Sequence, residues 1–256
     1  SDGSYQIILE NEFGIHENIE LYPSQPIFVN NKDKQGLIKN YEIYNSELIY
    51  PESKLNVVRN SFRGYQFLSV ELIPYEYNFK TKQLKILKTV EVIIEESGPR
   101  LNENYIPRSM VFENIFKNMI INDESFTDSR SIQQPSVLYI MEDYSSSIEP
   151  LIEWRRKQGF NVIVVDRDQT GSSTTSIKNY ITSAYNNWEN PPEFVCLVGD
   201  ANGSMEVATY SVGEGGSWWG AYGEGDFPYS LLDGNDLLPE VLLGRISIRS
   251  TSELIT

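Results

Sequence analysis

The sequence predicts a β-sandwich domain followed by a three-layer α/β domain with a mainly parallel sheet. Three observations carry this. Residues 1–97 alternate apolar and polar side chains in short runs, with no amphipathic helix among them. From residue 135, apolar runs rich in Val, Ile and Leu are separated by segments with helical spacing, the pattern of a parallel sheet covered on both faces. Between the two, residues 98–134 are polar and lack a period apart from one short helical stretch, which reads as a linker.

The β half begins with "YQIILENEF" and "IELY" as short strands, then "PIFV" and "YEIYN". Its clearest signal is "GYQFLSVELIPYEYNFKTKQLKILKTVEVIIEE". Two strands, Tyr65–Tyr77 and Gln83–Glu95, flank a turn at "NFKTK", and Pro74 marks a strand end or a bulge. In the linker, "MVFENIFKNMII" spaces its apolar residues as a helix does. "NDESFTDSRSIQQP" then reads as an exposed segment of the kind proteases cut, with Arg130 the expected processing residue. Beyond it, "SVLYIM", "NVIVV", "EFVCLVGD", "PYSLLDG" and "EVLLGRISI" read as strands. "SSIEPLIEWRRKQG" is a helix with a Ser start, basic last turn and Gly stop. "STTSIKNYITSAYNNW" places Ile177, Tyr180, Ile181, Ala184, Tyr185 and Trp188 on one helical face. In sheets of this kind, ligands gather at the carboxyl ends of the strands.

Bulk composition narrows the function. With 21 Lys and Arg against 36 Asp and Glu, the net charge is −15, and no basic run interrupts it. Nucleic acid and anionic membranes both require a basic face, so neither is expected as a partner. A single Cys and a single His rule out an intramolecular disulfide and a Cys/His zinc cluster. No apolar stretch approaches the ~20 residues of a membrane span. The abrupt opening "SDGSYQIILE" and the abrupt close "STSELIT" read as an excised fragment.

Candidate chemistry is sparse. Cys196 lies inside the strand "FVCLV", where a thiol behaves as a small hydrophobe, since reactive thiols need an electropositive, partly exposed setting. His16 has no positioned partner in sequence and reads as a turn or surface residue. "GEGGSWWGAYGEG" lacks the spacing of either phosphate-binding glycine motif and contains no Lys; it reads as an aromatic loop. The acids differ. Asp200 ends one strand and Asp233 ends the next, with Asp236 and Glu240 following on a turn, so four carboxylates converge on one sheet edge. No Lys or Arg occurs between Asp200 and Arg245. These residue types leave two readings open: a solvated turn, or a hard cation with oxygen ligands such as calcium.

"VCLVGDA", an aromatic-rich loop and "FPYSLLDGNDLLPEVLLGRISIRSTSEL" resemble the gingipain-like cysteine peptidases, peptidase family C25, which have caspase-like folds and are secreted by bacteria. "LYIMEDYSSSIEPLIEWRRKQGFNVIVV" extends the resemblance through the α/β half. "VVRNSFRGYQFLSVELIPYEYNFKTKQLKILKTVEVIIE" is similar to the family's β-rich propeptide. The resemblance implies a secreted or cell-surface zymogen: an inhibitory propeptide (1–97), a processing linker (98–134), and the first α/β subdomain of the catalytic domain (135–256). The partners it implies are a second catalytic subdomain and peptide substrates. Neither Cys196 nor His16 falls on the family's catalytic motifs, so this chain is expected to be inactive alone. The resemblance also implies a structural calcium ion, with Asp200, Asp236 and Glu240 as side-chain ligands and Asp233 and Leu238 giving carbonyls. It puts the residue that plugs the active site among Asn30, Asn31 and Lys32. The rival readings are a noncatalytic secretion or attachment module, or pseudoenzyme, on the same fold, and a nucleotide-binding α/β protein, which the missing glycine fingerprint opposes.

Overall fold

The computed structural model describes residues 4–8, 13–25, 38–89, 91–95, 106–121, 132–212 and 223–255. The chain divides into two units: Ser1–Arg59 with Leu68–Asn102, and Asn60–Phe67 with Glu103–Thr256. The second is therefore discontinuous in sequence.

The first unit is antiparallel throughout its named strands. β1 (Ser4–Ile8) pairs with β8 (Glu91–Glu95). A four-stranded sheet runs in the order β2 (Phe13–His16), β7 (Gln83–Leu87), β6 (Tyr75–Asn78), β3 (Ile49–Tyr50). The β6–β7 hairpin closes over the turn expected at "NFKTK", where Asn78 Oδ1 accepts from the Thr81 N–H at 3.0 Å. The chain breaks at Ile73–Pro74, because proline has no N–H for a ladder; one expected long strand becomes β5 (Tyr65–Leu72) and β6. "IELY" is not a strand. It is tied down by separate bonds, Ile19 N to Lys82 O and Tyr44 Oη to Leu21 O. A one-turn helix, α1 (Tyr41–Tyr44), caps on Asn40 where a strand was expected. Tyr77 and Leu87 form the buried centre, and Tyr77 satisfies its hydroxyl on Ile19 O at 2.7 Å.

β4 (Leu55–Phe62) and β5 form a second hairpin, joined by Arg63 and Gly64. Both have positive φ, 50° and 77°, as a two-residue type I′ turn requires; its twist matches that of the flanking strands. The tip of this hairpin, Asn60–Phe67, belongs to the second unit.

The second unit is built on a four-stranded parallel sheet: β9 (Ser136–Met141), β10 (Asn161–Val165), β11 (Phe194–Val198) and β14 (Leu242–Ile246), in the order β10-β9-β11-β14. α3 (Glu149–Lys157) and α5 (Thr174–Asn187) cover opposite faces. Ile148 and Ile152 pack with Val137, Tyr139 and Met141, whereas Ile177, Ile181 and Tyr185 pack with Leu138, Ile140, Val195 and Leu197. Alternation along β9 sends neighbouring residues to opposite helices, which is why all six are buried. Each such aliphatic side chain contributes roughly 1.5–3 kcal/mol on burial.

α2 (Met110–Met119), the helix within the linker region, caps on Ser109 and buries Phe112 and Phe116 in the second unit. Both stack on Phe62 of the hairpin tip, at centroid distances of 5.4 and 5.1 Å, and Phe116 also meets Tyr65 edge-on at 4.9 Å. The remaining short pieces are α4 (Arg167–Thr170), β12 (Tyr210–Val212) paired with β13 (Gly223–Gly225), and 3₁₀ turns at Ser146–Ile148, Phe227–Tyr229 and Thr251–Ile255. The second of these turns replaces the strand expected at "PYSLLDG": Pro228 offers no ladder N–H, and Ser230 bonds back to Phe227 O through its hydroxyl at 2.7 Å.

Candidate functional site

The missing strand moves the acids. Asp233, Asp236 and Glu240 lie on the loop that leads into β14, hence at the amino edge of the parallel sheet. Asp200 follows β11 and lies at the carboxyl edge. β11 and β14 run in register, Phe194 beside Leu242 and Val198 beside Ile246. Glu240 and Asp200 are thus separated by on the order of 25 Å along the strands. One ion with ligands at about 2.3–2.6 Å cannot bridge them. The expectation that Asp200 closes a site with the turn acids is corrected on this point. Among the described residues, no group of three or more Asp, Glu, His or Cys side chains gathers as metal ligands do.

Asp200 has other partners. Its carboxylate accepts from Arg249 Nε at 2.8 Å, Ala201 N at 2.9 Å and Ser247 Oγ at 3.0 Å. Arg249 foremost, then these donors, hold its pKa down at about 2. Arg245, on β14, organises the same edge. It grips Asp226 with two bonds of 2.7 Å and donates to the carbonyls of Gly199 at 3.0 Å and Val207 at 2.8 Å, so one planar guanidinium fastens the loop after β11 to the turn before Phe227.

At the amino edge, Asp233 is exposed and accepts from its neighbour's N–H, Gly234 N, at 2.9 Å. Asp236 spends one oxygen on Leu238 N at 2.8 Å and the other on Ser61 N, on the hairpin tip, at 2.6 Å. Glu240 is fully buried. Its Oε2 accepts from Leu232 N at 2.7 Å, and its Oε1 has no partner. Burial pushes its pKa up to about 7, against the pull of backbone N–H groups, and Asp236 adds to the rise. Asp233, Asp236 and Glu240 thus share one loop, in which the one buried carboxylate oxygen left unspent is Glu240 Oε1.

Beside this turn sits Arg63, fully buried. Its five N–H donors reach four carbonyls: Pro107 at 3.2 and 3.0 Å, Pro192 at 2.9 Å, Glu240 at 3.2 Å and Pro191 at 3.3 Å. Three of the four acceptors are prolines, which carry no N–H of their own, at chain segments that precede ordered elements. Phe112 and Tyr185 flank the guanidinium at 5.0 and 5.5 Å. Burial lowers its pKa, and the buried carboxylate of Glu193 foremost opposes this, with Tyr185 and Glu240 adding to the opposition. Glu193 Oε1 accepts from Ser109 N at 2.5 Å, while Oε2 has no partner. Sequence reasoning missed Arg63 and Glu193. The available signal was the Arg63–Gly64 pair between two alternating runs, a hairpin turn.

Cys196 is half-buried in β11, and burial pushes its thiol up to about 11. His16 is exposed on β2 of the first unit. Arg130, the candidate plug residues Asn30, Asn31 and Lys32, and the aromatic loop around Trp218 and Trp219 lie outside the described residues.

The chain belongs to peptidase family C25: the family's propeptide model matches residues 6–137 and the peptidase model residues 130–256. Among curated proteins it is 23% identical over 260 residues to gingipain R1 of Porphyromonas gingivalis, covering 97% of this chain and 25% of that protein. It is 25% identical over 269 residues to Lys-gingipain of the same organism (strain ATCC 33277), covering 97% and 14%. The chain thus spans a quarter or less of these two relatives. Solved structures similar to it include gingipain R (21% identity, 47% of this chain, 26% of that chain, TM-score 0.39) and a complex of gingipain pro- and mature domains (21%, 49% and 66%, TM-score 0.39).

Proposed function

We propose that the chain is the inhibitory propeptide and leading α/β part of a secreted bacterial cysteine endopeptidase precursor, and that this stretch alone hydrolyses no peptide. The observation that carries the reading is the pair of family matches laid end to end, overlapping at residues 130–137. A β-sandwich form for the propeptide and a caspase-like form for the α/β unit belong to the same reading. Maturation cuts after Arg130, at the start of that overlap. Inactivity follows from chemistry: a thiol held protonated inside a strand is a poor nucleophile without an adjacent base. A structural calcium ion belongs at the acidic turn, held by the side chains of Asp236 and Glu240 and the carbonyls of Asp233 and Leu238, without Asp200. Its support is the buried, unspent oxygen of Glu240.

Expression of the complete gene tests the reading. The expected result is a latent precursor that gains peptidase activity as a new N-terminus appears at Ser131, while the present chain shows no turnover on a peptide library. Turnover by this chain that Cys196→Ala abolishes would overturn the reading, as would a mature N-terminus well outside residues 107–135.

A further inference from the structure

A charged side chain at the tip of a hairpin ordinarily faces water. Arg63 does the opposite: it is fully buried, every one of its five donors is used, and each acceptor is a backbone carbonyl. Among the described residues no carboxylate touches it. Through space Glu193 foremost, then Tyr185 and Glu240, favour its charge while Arg108 opposes it, and Glu193 and Glu240 each keep one buried oxygen without a hydrogen bond. Four converging carbonyls, two flanking aromatic rings and two nearby carboxylates make a receptor matched to a planar, five-donor cation. An ammonium has only three donors and no plane to set between the rings of Phe112 and Tyr185.

We infer that this is a guanidinium-binding seat of the α/β unit, and that its occupant, Arg63 on the β4–β5 hairpin tip, is the latch that retains the N-terminal portion of the chain after the connection is cut. The use of the seat in maturation rests on the precursor reading given above. A cut between α2 and β9 leaves Arg63 on one fragment and Pro191, Pro192, Glu193 and Glu240 on the other. Three of the five Arg63 bonds then cross the cut, joined by Ser109 N to Glu193 Oε1 and Ser61 N to Asp236 Oδ2. Emptying the seat strips the carbonyls of Pro191, Pro192 and Glu240 of this donor and takes the guanidinium away from the buried carboxylate of Glu193, which is why release is opposed. Pro107 and Phe112 leave with Arg63, so a free guanidinium compound meets the carbonyls of Pro191, Pro192 and Glu240 and the ring of Tyr185. By occupying these it lessens that opposition, so release by guanidinium is specific and release by simple salt is not.

The test uses the full chain with a specific protease site inserted in the 122–131 segment. After cleavage, retention of the fragments is measured by sizing and by fluorescence titration, with guanidinium chloride or L-arginine well below denaturing concentrations, and with sodium chloride at matched ionic strength. The wild-type pair is expected to stay associated in sodium chloride and to separate as guanidinium or arginine is raised. Arg63→Ala is expected to weaken retention roughly a hundredfold to a thousandfold, as loss of one member of a buried charge cluster does. Arg63→Lys is expected to weaken it and to lower the guanidinium concentration at which the pair separates, because the seat itself is unchanged and its occupant fits less well. Should Arg63→Ala not fold, the lysine variant and the competition carry the test. Retention by Arg63→Lys equal to wild type, or guanidinium acting no better than sodium chloride, overturns the inference. Peptidase activity plays no part in this readout. Loss of the latch would therefore leave the precursor reading standing, and a gene encoding no active peptidase would leave the latch standing.

Discussion

Replacing Glu240 by glutamine is expected to flatten the dependence of stability on pH between about 4.5 and 7. Glu240 is fully buried with one oxygen unpartnered, and burial raises its pKa from an ordinary 4.5 to about 7. The charged groups that bear on it are Asp236, which raises it further, and the Arg63 guanidinium donating to its carbonyl. A carboxyl whose pKa is higher folded than unfolded binds its proton more tightly in the native state. Its stabilising contribution is complete below the unfolded value and is lost as pH climbs through the folded value, the reverse of an ion-paired acid. The gap between 4.5 and about 7 corresponds to about 3 kcal/mol. Glutamine keeps the acceptor for Leu232 N and removes the charge. The assay is a series of urea melts from pH 4.5 to 8 in chelator, which keeps metal from competing with the proton. Wild type should lose about 3 kcal/mol more than Glu240→Gln across that window. Parallel curves for the two proteins would refute the assignment of a buried, proton-seeking carboxyl at this turn.

Three further outcomes are expected. Iodoacetamide should alkylate Cys196 in the folded chain roughly a hundredfold more slowly than an ordinary thiol at pH 8, since a pKa of about 11 leaves little thiolate; rapid labelling of native protein would contradict this. Asp226→Ala should cost roughly 3 kcal/mol by breaking the two-bond grip of Arg245, and a double-mutant cycle with Arg245→Ala should show strong coupling; additive losses would refute the clamp. Calcium should raise the melting temperature of wild type and not of Asp236→Ala, while Asp200→Asn keeps the calcium response; equal responses in all three would remove the ion from the turn.

Much of the architecture was readable from periodicity. The switch from alternating runs to apolar strands separated by helices marks the change from antiparallel strands to a parallel sheet, and the stripe on α5 gives Ile177, Ile181, Ala184 and Tyr185 as its buried face. The acids were misplaced because "SLLDG" has the composition of a strand. Reading one there carried Asp233 to the carboxyl edge, whereas the 3₁₀ turn at Phe227–Tyr229 leaves the whole segment on the entry side of β14. Arg63 was unreadable for a different reason. A charge in a turn is ordinarily solvated, and only carbonyls far along the chain make a dry position tolerable. Tip burial is a tertiary fact with almost no local signature.

The discontinuity of the second unit also bears on how the chain is made. Arg63 leaves the ribosome long before its last acceptor, Glu240, which lies 177 residues further on. Closing a loop of that length costs roughly 4–5 kcal/mol of chain entropy before any bond repays it. Local contacts in the β-rich unit, and the β9–α3–β10 crossover, carry far shorter loops and form ahead of it. Completion of the Arg63 bonds to Pro191, Pro192 and Glu240 is thus expected to come late in folding. A nascent chain halted before Glu240 would carry a cationic loop short of its last acceptor and an aromatic cluster at Phe62, Tyr65, Phe112 and Phe116 without the cover of Leu242, a surface for chaperones to occupy until synthesis supplies the remaining wall.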